Sequence, residues 1–192
     1  MRQIFGDFYE LNDGQEYLVI HFSPTSIPLQ QRWRNNGLSA DFLAEYWATF
    51  FPKQDTSSEL CRGEIKGAIN YIANELLENV MKFNYALAEQ PVSLGLYLFT
   101  DVFRFYSKNV IDPVSVPGFQ ARIQQLLTED PAELYLEQIE KNASLGDGGS
   151  HLGLLTMISD YEAKLAWQFD SPTADEQLIF VTTMVQLSLE NE

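Results

Sequence analysis

The sequence predicts an α+β fold, a sheet either antiparallel or mixed with helices on one face, and three observations carry that expectation. A long run from Arg62 to about Tyr85 repeats apolar residues at helical spacing. Two pairs of β-rich runs are each joined by a short turn, and a glycine-rich stretch opens a further helical run between those pairs. With 192 residues the chain has enough material for one core of ordinary size, so a single domain over 1–192 is expected, with 1–60 as a strand and helix lead and 61–192 as the core.

The elements follow in order. Met1 to Asp7 has a charge but no apolar run or small-residue cleavage site behind it, so no secretory signal is expected and the cytoplasm is the expected compartment. Glu16 to Phe22 is rich in β-formers and is stopped by Ser23-Pro24, so it reads as a strand, with His21 a sheet residue rather than a ligand. Arg32-Trp33-Arg34, the one local basic and aromatic cluster, reads as a solvated loop with a packed Trp rather than a binding surface. From Ser39, a candidate cap, to Phe51, the residues Phe42, Leu43, Tyr46, Trp47 and Phe50 recur at helical spacing before Pro52. Those aromatics are expected in the core or on a dimer face, which makes a homodimer one possible assembly.

The long helix carries Ile65, Ile69, Ile72, Leu76, Val80 and Phe83 on one side. Beyond Pro91, Val92 to Phe99 and Val102 to Ser107 suggest a hairpin turning at Thr100-Asp101. A helical region from about Phe119 to Lys141 follows Pro113 and Pro117, and Pro131 must divide it into two short helices. Gly146 to Gly153 leads into Leu154, Leu155, Ile158 and Tyr161, with Ser150 available as a cap. Lys164 to Asp170 and Gln177 to Ser188 then flank the turn-forming residues 171–175.

Composition excludes several functions. A formal charge of -15 repels a phosphate backbone, so nucleic acid is a poor partner. No window has the eighteen or so unbroken apolar residues of a membrane helix, and no membrane association is expected. The single Cys61 has no internal disulfide partner and no nearby His to activate it, so it reads as a buried or inert thiol.

The candidate chemistry lies in the long helix. Glu75 and Asn79 stand at i and i+4 with Lys82 a turn further on, so the three share one side and a single ligand can meet them all. A carboxylate and an amide oxygen are hard ligands suited to Mg²⁺, and an ammonium suits a phosphate. The plainer alternative is Glu78 pairing with Lys82 on a solvated face.

Glu75-Leu76-Leu77-Glu78-Asn79-Val80-Met81-Lys82 resembles the N-box helix of the GHKL (Bergerat-fold) ATP-binding superfamily. Gly148-Gly149-Ser150-His151-Leu152-Gly153 is similar to that family's later glycine box, while an exposed loop position is the expectation for His151 itself. The family's Asp-x-Gly-x-Gly motif is absent, and Lys108-Asn109-Val110-Ile111-Asp112-Pro113 stands in its place. The resemblance runs from about Arg62 to the C-terminus, and within the superfamily it is nearest the stand-alone bacterial anti-sigma and SiaB-type serine kinase regulators, with a likeness also to cyanobacterial regulators. It implies a two-layer sandwich with a mixed sheet, and ATP with Mg²⁺ as cofactors. It also implies Glu75 as catalytic base, Asn79 as the metal ligand, Lys82 on phosphate, Gly148, Gly149 and Gly153 cradling the phosphates, and Asn109 or Asp112 accepting from the adenine amine. The function so implied is a signalling regulator that phosphorylates a Ser or Thr of a small regulatory partner protein. The alternative is an interaction module that has kept the fold and lost both nucleotide and catalysis.

Overall fold

Alternating apolar residues set the sheet on which everything else is placed. A computed structural model describes residues 2–11, 16–23, 33–51, 56–145, 152–171 and 178–189. The strands are β1 (Arg2–Phe5), β2 (Glu16–Phe22), β3 (Val92–Leu98), β4 (Val102–Ile111), β5 (Lys164–Asp170) and β6 (Ile179–Ser188). They form one six-stranded sheet in the order β1-β5-β6-β4-β3-β2. Every neighbouring pair is antiparallel, so of the two expected alternatives the antiparallel sheet is the one formed.

The helices are α1 (Trp33–Ala48), α2 (Thr56–Phe83), α3 (Val116–Thr128), α4 (Pro131–Leu145) and α5 (Gly153–Ser159). On β4, Phe103, Phe105 and Ile111 turn to the helices and join one core with Trp47 of α1, Leu76 of α2, Ile123 of α3 and Leu155 of α5. Tyr106, between them in sequence, faces the other side with Ala166 and Met184. The period of two thus separates a helix-covered face from a reverse face, which gives two layers.

Several expected boundaries shift. β1 was not expected from the sequence; its first three residues are exposed and Phe5 turns inward, edge-on to Phe169 at 5.6 Å. Ser39 does not cap α1. The helix begins at Trp33, so the Arg32-Trp33-Arg34 loop is replaced by helix from Trp33 on, and the Ser39 hydroxyl donates back to the Asn35 carbonyl at 2.8 Å. α2 begins at Thr56, before the expected Arg62. The expected division at Pro131 is present: Pro131 opens α4, and Asp130 Oδ1 accepts from the N–H groups of Ala132 and Glu133 at 2.9 and 3.1 Å. The hairpin turns at Thr100-Asp101 through a 3.0 Å bond from Phe99 N–H to the Val102 carbonyl.

The N-terminal segment crosses the reverse face. Gly6 makes this possible: its φ is +73°, and a Cβ there would lie 2.8 Å from the Leu165 carbonyl oxygen. The chain then lays Phe8 against Tyr106, whose hydroxyl donates to the Tyr9 carbonyl at 2.9 Å. Burial pushes the Tyr106 phenol up to about 12, against the opposing pull of Arg104. No helix among the described residues is long and apolar enough to cross a membrane.

Candidate functional site

The end of α2 is fastened to β4, and this joint builds the site. Tyr85 N–H donates to the Val110 carbonyl at 2.8 Å, and Val110 N–H donates to Asn84 Oδ1 at 3.4 Å. Asn109 Nδ2 donates to the Val110 carbonyl at 3.2 Å and to the Phe83 carbonyl at 3.5 Å. These bonds satisfy backbone groups freed where α2 stops, and they hold its last turns over the second half of β4.

Between α2, α3, the start of α5 and the strands β4 and β6 lies a cavity of about 800 Å³. That size is within the range of small-molecule sites, roughly 300–1,000 Å³. Its walls combine apolar side chains such as Val80, Ile111, Phe119, Leu126 and Val181 with a polar floor of Ser107, Asn109 and Thr183. On β4 the helix-facing positions run Phe103, Phe105, Ser107, Asn109, Ile111, so the apolar series turns polar where the cavity opens. Ser107 and Thr183 are register partners, which places the two hydroxyl-bearing residues side by side.

Glu75, Asn79 and Lys82 of α2 all line this cavity, as do Asn109, Asp112 and Gly153 from other elements. Residues separated by almost eighty positions therefore meet at one place. Gly148, Gly149, Ser150 and His151 lie outside the described residues. Asn109, just beyond the expected end of the strand at Ser107, is inside β4 and buried, because the strand continues to Ile111. With its amide nitrogen committed to two carbonyls, the side-chain group left to a ligand is the carbonyl oxygen, an acceptor. Asp112 caps the short 3-10 turn that leads into α3, its Oδ1 accepting from Val114 N–H at 3.0 Å.

Glu75 is half-buried against the start of α5. A Cβ on Gly153 would lie 1.9 Å from Glu75 Oε2 and 2.7 Å from Cδ, so the glycine makes room for this carboxylate. Burial, and secondarily the charge of Glu78, holds the Glu75 carboxyl above its ordinary value. Gly153→Ala is expected to displace the Glu75 side chain and to cost about 1–3 kcal/mol of stability, typical of an overpacked contact. Urea unfolding of both proteins measures it, and an unchanged midpoint would mean that the carboxylate swings aside freely.

The plainer alternative for this helix is not formed. Among the described ion pairs none joins Glu78 to Lys82. Glu78 accepts from Asn74 Nδ2 at 3.1 Å, and the Lys82 ammonium sits 5.3 Å from the centre of the Phe83 ring. The second cation of the cavity, Arg122 on α3, was not anticipated from the sequence. Its guanidinium donates to Gln125 at 3.3 Å and to Gln138 of α4 at 3.5 Å, both neutral partners. Ser107 and Thr183 were missed as well, although a polar residue at an inward strand position is a signal that alternation alone supplies. Among the described residues no cluster of three or more His, Cys, Asp or Glu is placed to hold a metal. A divalent ion beside Asn79 would therefore complete its coordination with water and ligand oxygens.

No family model and no curated protein matches the chain. Among solved structures it is similar to a chain in the crystal structure of the SiaB–SiaC complex from Pseudomonas aeruginosa, at 16% identity and a TM-score of 0.58. The match covers 88% of this chain and 89% of that one. The likeness is one of fold: this chain shares the α+β sheet-and-helix architecture of a component of that complex.

Proposed function

We propose that the chain is a GHKL-type signalling regulator that binds Mg-ATP in the cavity and phosphorylates a Ser or Thr of a small partner protein. The observation that carries this reading is the meeting of Glu75, Asn79, Lys82, Asn109, Asp112 and Gly153 around one cavity of about 800 Å³. Its chemistry suits the ligand. Apolar walls accept a purine ring, the Asn109 oxygen accepts from an amine, and Lys82 and Arg122 offer positive charge to phosphates. Asn79 supplies an oxygen to Mg²⁺ in this reading, and the bound nucleotide supplies the phosphoryl group with its metal-neutralised charge. Glu75 takes the proton of the attacking hydroxyl, and its raised proton affinity suits that task. The fold shared with a component of a two-protein complex supports a small protein as partner.

The second reading is an interaction module without nucleotide. It is favoured by the commitments of Asn109 to backbone carbonyls and of Asp112 to its turn, in a chain that lacks the family's flexible glycines. Thermal unfolding with and without Mg-ATP separates the two. At a hundred times the dissociation constant, a ligand of the folded state should add about 2.7 kcal/mol. An unmoved transition at millimolar Mg-ATP would leave the interaction module.

A further inference from the structure

Among the described residues β2 is a terminal strand of the sheet, bonded to β3 on one side. The hairpin fixes which of its backbone groups face outward. Because Phe99 N–H bonds to the Val102 carbonyl across the turn, the odd-numbered residues of β3 direct their backbone groups to β4. The even-numbered Val92, Leu94, Leu96 and Leu98 direct theirs to β2. The register partners of these four are Phe22, Ile20, Leu18 and Glu16. The N–H and C=O groups of Tyr17, Val19 and His21 therefore point away from the sheet, and such a row is a template on which an extended segment can pair.

We propose that the occupant is β2 of a second copy, antiparallel about a two-fold axis at Val19. In this register Val19 meets Val19 of the second copy and Tyr17 meets its His21, so each outward-pointing residue finds another outward-pointing residue. Side-chain faces agree as well. Leu18 meets Ile20 of the second copy on the helix-covered face, and Tyr17 meets His21 on the reverse face.

Charge favours the same arrangement. Two copies at a net charge of -15 each repel one another in general, so a shared surface must be poor in charge. The one acidic residue in β2 is Glu16, and antiparallel pairing sets it opposite Phe22 of the second copy instead of against the other Glu16. No Lys or Pro guards the strand. Next to this edge, Leu38, Phe42 and Tyr46 of α1 and Phe50 in the turn after it recur at four-residue steps. Of these, Leu38, Phe42 and Phe50 are 69%, 54% and 43% exposed. The Tyr46 hydroxyl donates to Glu16 at 3.4 Å, which ties this apolar stripe to β2.

Sedimentation equilibrium on the full chain tests the proposal, with circular dichroism to check folding. The parent is expected to dimerise. Val19→Pro removes an N–H that faces outward while leaving the bonds to β3 in place, and Phe42→Glu puts a charge on the stripe. Each should weaken dimerisation about tenfold or more, in line with one or two backbone bonds lost or a charge left at an apolar contact. A parent that stays monomeric at the highest concentrations, or a folded Val19→Pro with unchanged association, overturns it. Should Val19→Pro fail to fold, Phe42→Glu decides alone, and undiminished dimerisation in that variant is then the overturning result.

Discussion

Glu75→Gln is expected to leave Mg-ATP affinity within a few-fold of the parent while slowing phosphoryl transfer by about 10²–10⁴, the usual contribution of a general base. The substitution keeps the size of a side chain that fits closely against Gly153, so the cavity should hold its shape. It removes the basicity and charge of the proposed proton acceptor. Burial and the neighbouring Glu78 raise the Glu75 carboxyl, so in the parent the transfer rate should fall on acidification at a pH above the ordinary carboxylate range. That acid limb should vanish from the residual activity of the glutamine variant. Asn79→Ala is the complementary change: it deletes the amide oxygen proposed to hold Mg²⁺ at the same wall, so affinity for Mg-ATP should fall with it. Calorimetric titration and transfer of label from ATP to a candidate partner measure the two steps separately. Equal transfer rates in the parent and Glu75→Gln would remove Glu75 from the chemistry, and a parent that binds no Mg-ATP would remove the nucleotide.

The second large effect concerns stability. Trp47→Ala should destabilise the fold by about 3–5 kcal/mol, the range for deleting a fully buried large aromatic. Trp47 is 0% exposed. It packs edge-on to Phe103 of β4 at 5.2 Å and lies 5.2 Å from Phe50. Through it the N-terminal helix shares a core with the central strands, so the loss should appear as a lower midpoint of one cooperative unfolding transition. Trp47→Phe is expected to cost much less. It keeps a ring in the same place and removes an indole N–H that is buried without an acceptor among the described residues. A cost below about 1 kcal/mol for the alanine variant would mean that α1 can detach from the sheet without unfolding it.

Both predictions draw on features of different legibility. The long helix was readable because Ile69, Ile72, Leu76 and Val80 repeat at the helical period over many turns, and all four are buried as that pattern requires. The two hairpins were readable because β-rich runs abut short polar turns. β1 was not, since four largely exposed residues leave almost no pattern and are a strand only because β5 offers them an edge. The length of β4 also escaped. Ser107 and Asn109 interrupt its apolar face, and tertiary bonds from Asn109 to the end of α2 reveal why a polar pair is stable there.

By itself, then, the sequence determined the period of each main element, the α+β order of elements with helices to one face of a sheet, and the grouping of Glu75, Asn79 and Lys82 on one side of a helix. Those properties follow from local spacing, because helix and strand geometry convert sequence separation into a face. Which residues share a cavity was decided by tertiary structure alone. Arg122 reaches the site because α3 packs over it, and Ser107 and Thr183 become neighbours only through the register of β4 with β6. The contact between Glu75 and Gly153 likewise depends on how α2 and α5 approach, a distance that no local spacing encodes.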